Sequence, residues 1–144
     1  MSIIRLSLRI ALALLALPAL VPNVAAQPRT TKTARPLTVR FEFETKGGLD
    51  GHAPRSRVFV NANGKRTRVF SNDESFQALS RDEFSTHRVP RRALAACFGW
   101  WAGAGDNLYV VRRGAQLDVY QQPLDEQSGP FRFCKIKSIR FSSR

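Results

Sequence analysis

The run Ala95–Tyr120, AACFGWWAGAGDNLYVVRRGAQLDVY, decides the fold class. Leu108–Val111 and Gln116–Gln121 are β-rich segments on either side of Arg112-Arg113-Gly114-Ala115, which predicts an antiparallel hairpin. Pairing Val110 with Leu117 and Leu108 with Val119 gives an apolar face and gathers Tyr109, Asp118 and Tyr120 on the opposite one. Trp100 and Trp101 are adjacent, so on an extended segment they point to opposite faces; one enters the core and the other is free to meet a ligand, the alternative being that both are buried. Gly99, Gly103 and Gly105 fit close approach of backbone to the tryptophans. They match neither G-x-G-x-x-G nor the P-loop, and a strand follows where both motifs need a helix.

Working outward, the strongest hairpin signal is Asn63-Gly64 between the β-rich runs of Ser56–Phe70. With those two residues as the turn, Val58 faces Val69 and Val60 faces Thr67. The other side sets Arg57 opposite Phe70, Phe59 opposite Arg68 and Asn61 opposite Arg66, a surface of interleaved guanidinium groups and phenyl rings. Leu37, Val39, Phe41 and Phe43 alternate with Thr38, Arg40, Glu42 and Glu44, which specifies a strand with one buried face. From Ser71 to Phe98 the alternation stops. Ser71/Glu74 and Ser80/Glu83 fit capping boxes, and Pro90 followed by RRALAAC suits a helical turn. Phe131–Phe141 reads as a last strand whose alternation breaks at Cys134 and again before Ile139, the mark of a bulge or an edge. The expected fold is mainly β, with α+β as the variant: antiparallel hairpins forming a small sheet, sandwich or partly open barrel, with short helical turns between Ser71 and Phe98.

The N-terminus carries Arg5 and Arg9, then an apolar run from Ile10 to Val21 broken by Pro18 and too short to span a membrane. Val24 and Ala26 suit a signal-peptidase site, so residues 1–26 read as an export signal. Residues 27–35, QPRTTKTAR, read as a flexible basic arm, and 36–144 as a single domain. The protein is therefore expected in the periplasm or the extracellular medium, with no membrane span after cleavage. The formal charge of the whole chain is +12, and arginine outnumbers lysine 18 to 5, which favours forked recognition of carboxylates, phosphates or sulfates. Export argues against nucleic acid as the partner. Cys97 and Cys134 are the only cysteines, and an even count in an exported chain predicts one disulfide, worth about 4 kcal/mol by loop-closure entropy.

No catalytic signature stands out. His52 and His87 lack neighbours at metal-ligand spacing, no serine sits in a G-x-S-x-G elbow, and no cofactor motif is present. Asp106 with Asp125 or Glu126 offers a carboxyl pair of the kind that hydrolyses glycosides. The plainer reading is that Asp106 hydrogen-bonds its own turn. The composite of Val89–Cys97, Gly99–Asp106, Val119-Tyr120 and Asp125-Glu126-Gln127 resembles a group of small exported bacterial proteins of unassigned function that share an ALxAC-x-GWWAGAGD stretch. Gln122-Pro123-Leu124 departs from that pattern, where an aromatic beside the acids is expected. The resemblance implies a genuine domain and carries no activity with it.

These readings converge on a secreted, non-enzymatic binding module for an anionic or carbohydrate-bearing envelope component. Its expected contacts are Arg57, Phe59, Arg66, Arg68, Phe70, Trp100 and Trp101. A small glycan hydrolase and an inhibitor of a foreign hydrolase are the alternatives.

Overall fold

The computed structural model describes residues 36–48 and 51–141; the segments 1–26 and 27–35, read from sequence as an export signal and a basic arm, lie outside the described residues. Strands β1 (Val39–Lys46), β2 (Arg55–Ala62) and β3 (Lys65–Asn72) form a three-stranded antiparallel sheet in chain order. A second antiparallel sheet follows through β4 (Ser75–Ala78), β5 (Ala95–Trp101), β6 (Ala104–Arg113) and β7 (Gln116–Asp125). The free side of β7 is taken by β8 (Gly129–Pro130) and β9 (Cys134–Arg140). The fold is thus mainly β, and neither sheet closes into a barrel.

The sheets face each other through Phe41, Val58, Val60 and Ala62 of the first and Phe76, Cys97, Leu108, Val110, Leu117, Val119 and Ile139 of the second. Val58, Val60, Leu108, Val110, Leu117 and Val119 are wholly buried, as their alternation requires. The opposite face of the larger sheet is also covered. Leu79, Phe84, Val89 and Ala93 of the segment between β4 and β5 pack on Ala96, Tyr109 and Val111.

The stretch from Ser71 to Phe98 differs from the helical expectation, in part at Ser80 and more fully at Ser71 and after Pro90. Half of the Ser80/Glu83 box forms: the Ser80 amide donates to Glu83 Oε2 at 2.8 Å, but the Ser80 hydroxyl donates to the same oxygen instead of accepting a backbone N–H, and the 3₁₀ turn Asp82–Phe84 starts without a side-chain cap. Ser71 instead donates to the Ser56 carbonyl, and Glu74 is buried. After Pro90 a single turn closes, Ala93 N to Pro90 O, and the alanine-rich stretch then enters β5 rather than a helix. Alanine's helix preference yields there because both faces of β5 are covered and its backbone groups are claimed by β4 and β6.

Two further corrections concern register. Asn63-Gly64 forms the expected turn, with φ of 51° and 87°, and Asn61 does pair with Arg66. A bulge between Val58 and Phe59 then sets Phe70, not Val69, opposite Val58, so Phe70 turns into the core and meets Phe76 edge-on at 6.0 Å. In the second hairpin the turn is Gly114-Ala115 alone, and Val110 pairs with Val119 and Leu108 with Gln121, two residues along from the expected register. Because the slip is even, the faces are unchanged. The last strand has its bulge, opposite Val119/Tyr120, and occupies an edge.

The expected Cys97–Cys134 disulfide is absent. Cys97 pairs with Leu108, Leu108 with Gln121, and Gln121 with Cys134. The two thiols therefore stand three strand spacings apart, about 14 Å, whereas a disulfide spans roughly 4.4–6.8 Å between Cα atoms. Cys97 is buried in the core and Cys134 is exposed; both are free.

Candidate functional site

The anticipated contact residues fall in three places. Arg57, Phe59, Arg66 and Arg68 lie together on the outer face of the three-stranded sheet. Phe70 is half-buried against the core, and the two tryptophans lie at the far end of β5. On the first surface Arg66 is already occupied. Its guanidinium stacks on the Phe59 ring at 3.6 Å and pairs with Glu42 at 3.2 Å and Glu44 at 2.7 Å. Arg57 approaches Glu44 at only 3.9 Å. The face is basic, and β1 supplies carboxylates that neutralise part of it.

Trp100 and Trp101 do point to opposite faces, yet neither enters the core. Trp100 is 37% exposed and stacks against Phe98, centroids 6.0 Å apart, while Trp101 is half-buried. Gly105 lies opposite Trp100, and a Cβ there would run into the Gly99 carbonyl and the indole ring, so glycine is what lets the ring lie across the strand. Beside Trp100 opens a cleft of about 290 Å³, bounded by the turn Thr86–Arg88 on one side and by Leu124, Asp125 and Pro130 on the other. Asn107 and Gln122 contribute to its lining.

Its polar lining is connected. Gln122 Nε2 donates to the Phe131 carbonyl at 2.7 Å, Asn107 Nδ2 donates to Gln122 Oε1 at 3.0 Å, and Asn107 Oδ1 meets His87 Nδ1 at 2.9 Å. The His87 ring also packs on Phe98, centroids 4.8 Å apart. Asp125 is held by its own turn, accepting from the amides of Ser128 and Gln127, which lower its pKa. Phe131 is 53% exposed.

Asp106 serves neither of the roles expected for it. It sits inside β6, 3% exposed, and faces the interior between the sheets, where it meets Glu74, itself 5% exposed. Asn72 Nδ2 bridges the two carboxyls, at 2.8 Å from Glu74 and 3.1 Å from Asp106, and Gln121 Nε2 donates to Asp106 at 2.8 Å. Glu74 Oε2 has no partner to accept from. A proton on Glu74 resolves this by donating to Asp106, and burial, reinforced by the neighbouring Asp106 charge, pushes Glu74 up to about 8. Burial raises Asp106 as well, against the amide donors that favour its charged form. Asp125 and Glu126 take no part in this pair.

His87, Arg88, Asn107, Gln122 and Glu74 were not anticipated as site residues. The signal for Asn107 was present: with the turn confined to Gly114-Ala115, Asn107 falls opposite Gln122. The Glu74–Asp106 approach had no local signal. Among the described residues no three His, Cys, Asp or Glu gather as a metal site would require, and no helix is long and apolar enough to cross a membrane. Comparison with protein-family models, curated proteins and solved structures finds no match.

Proposed function

We propose that the protein is an exported, non-enzymatic binding module that takes one ring of a carbohydrate, neutral or anionic, of the cell envelope in the Trp100 cleft. The observation that carries this reading is a tryptophan ring left 37% exposed at the wall of a cleft whose lining includes connected amide and imidazole groups. An indole offers a flat apolar surface to the C–H face of a sugar, and planar polar side chains beside it satisfy hydroxyls. Arg88 at the cleft, and Arg57 and Arg68 on the smaller sheet, supply positive charge for an anionic glycan.

The test is a fluorescence titration with N-acetylglucosamine trimer and with a heparin hexasaccharide. Trp100→Ala should weaken binding of whichever probe binds by about tenfold or more, the equivalent of roughly 1–2 kcal/mol. Unchanged affinity in the variant overturns the assignment of the cleft. The hydrolase alternative draws no support from the geometry, because Asp106 is enclosed with Glu74 and Asp125 is engaged by backbone amides.

A further inference from the structure

Only one arrangement of donors and acceptors is consistent with the chain of side chains beneath the cleft. The Phe131 carbonyl can only accept, so the Gln122 atom 2.7 Å from it must be the amide nitrogen. Gln122 Oε1 is then the acceptor turned toward Asn107, whose Nδ2 must donate to it. The same Nδ2 lies 3.3 Å from the His87 carbonyl, a second group that can only accept, which fixes the Asn107 amide independently. Asn107 Oδ1 therefore faces His87 Nδ1, and since an amide oxygen cannot donate, Nδ1 must carry a hydrogen. Two backbone carbonyls thus place a hydrogen on Nδ1 of the imidazole through two side-chain amides.

In the neutral ring a hydrogen on Nδ1 leaves the lone pair on Nε2. Nε2 has no hydrogen-bond partner among the described residues. It is also not a buried polar atom lacking one, since Glu74 Oε2 alone has that status among them, so Nε2 is open to solvent. His87 lines the cleft, and its ring rests on Phe98, which in turn stacks with Trp100. The other charged residues on the cleft are Arg88, which can only donate, and Asp125, whose carboxylate accepts from two amides of its own turn.

We infer that His87 is held as its Nδ1–H tautomer so that Nε2 accepts a hydrogen bond from a ligand hydroxyl, which makes a polyhydroxylated sugar ring the class of ligand the cleft selects. The inference rests on the carbohydrate reading for its ligand and on the structure alone for its tautomer. Asn107 and Gln122 act as positioning residues: they orient the imidazole, and His87 with Trp100 makes the contact. A ligand offering only acceptors, such as inorganic sulfate, finds no donor at Nε2 of the neutral ring; the charged donor lining the cleft is Arg88.

Two measurements test this. In protein labelled with ¹⁵N-histidine at pH 8, a long-range ¹H–¹⁵N correlation should show the His87 Nδ1 as protonated and Nε2 as the bare nitrogen, assigned against His87→Gln. The reverse pattern overturns the inference whatever the ligand does. In the second, N-acetylglucosamine trimer is titrated into wild type, His87→Phe and His87→Gln, with thermal melts recorded alongside. Loss of at least tenfold in affinity in a variant that melts like wild type supports the acceptor role. Equal affinity in folded His87→Phe, which offers no acceptor, overturns it. If the wild type binds neither the trimer nor heparin, the carbohydrate reading fails and the ligand half of the inference with it, while the spectrum still decides the tautomer.

Discussion

Asp106 and Asn107 are neighbours in β6 that face opposite ways, and the two buried polar clusters they anchor follow different rules. Asp106 points between the sheets to Glu74, where two acids share one donor and a single proton relieves their repulsion. Asn107 points to the other face, where donation runs one way, from His87 Nδ1 to Asn107, from Asn107 to Gln122 and from Gln122 to the Phe131 carbonyl. Each residue is 3% exposed, so burial does not distinguish them. The difference lies in what can titrate and in where the chain of bonds ends. The inner cluster is closed, and its protonation bears on stability. The outer one ends at a cleft, and its orientation bears on what binds there.

The strongest way to break this contrast is pH. Folded Glu74 keeps its proton up to about pH 8, while the unfolded chain loses it near 4.5. Stability from this group is therefore greatest below about pH 4.5, falls as pH rises toward 8 because only the folded state still holds the proton, and levels off above. The slope cannot exceed about 1.4 kcal/mol per pH unit, so denaturant titrations across this window should show a loss of a few kcal/mol. Glu74→Gln, neutral at every pH, should flatten the curve, and an equally steep one would assign the titration to a different group. Next in size is Gly99→Ala on the same face. Its Cβ would lie 2.5 Å from Glu74 Oε2 and from the Phe76 ring, so thermal unfolding should reveal a cost of about 1–3 kcal/mol. A variant as stable as wild type would mean the inner cluster is loosely packed.

Smaller effects belong to the surface. Arg66→Ala removes two exposed ion pairs and a stacking contact, and the loss of stability should stay at about 1 kcal/mol or less, shrinking further in high salt. The smallest expectation is no change at all: adding a reductant should leave the melting temperature where it was. A thiol reagent should titrate Cys134 in the folded protein and Cys97 only after unfolding, because burial raises the Cys97 thiol well above its usual range. A reductant-sensitive melting temperature would contradict the strand order from β5 to β9.

Much of the fold was legible because it depends on local signals. The Asn63-Gly64 turn, the alternation of β1 and the faces of β6 and β7 follow from residue type and spacing alone. What sequence reading missed depends on partners far along the chain. The stretch Ala93–Cys97 has the composition of a helix and becomes a strand because β4 and β6 flank it. Phe70 leaves the arginine face because a bulge displaces it by one position, something no pairwise turn rule encodes. The disulfide expectation counted cysteines without strand order. For the candidate site, Trp100 could be singled out by type, whereas His87 and Asn107 acquire meaning only once the Thr86–Arg88 turn is laid over β6.

The two sheets draw on separate, uninterrupted parts of the chain, residues 39–72 and 75–140, which meet at the short link Asp73-Glu74. Most strand pairs therefore close over short sequence distances, whereas packing one sheet on the other joins residues far apart in the chain, the kind of contact that slows folding. Because Glu74 sits at that link and must lose its water at that moment, the acidity of the medium should affect how fast the chain folds as well as how stable it is.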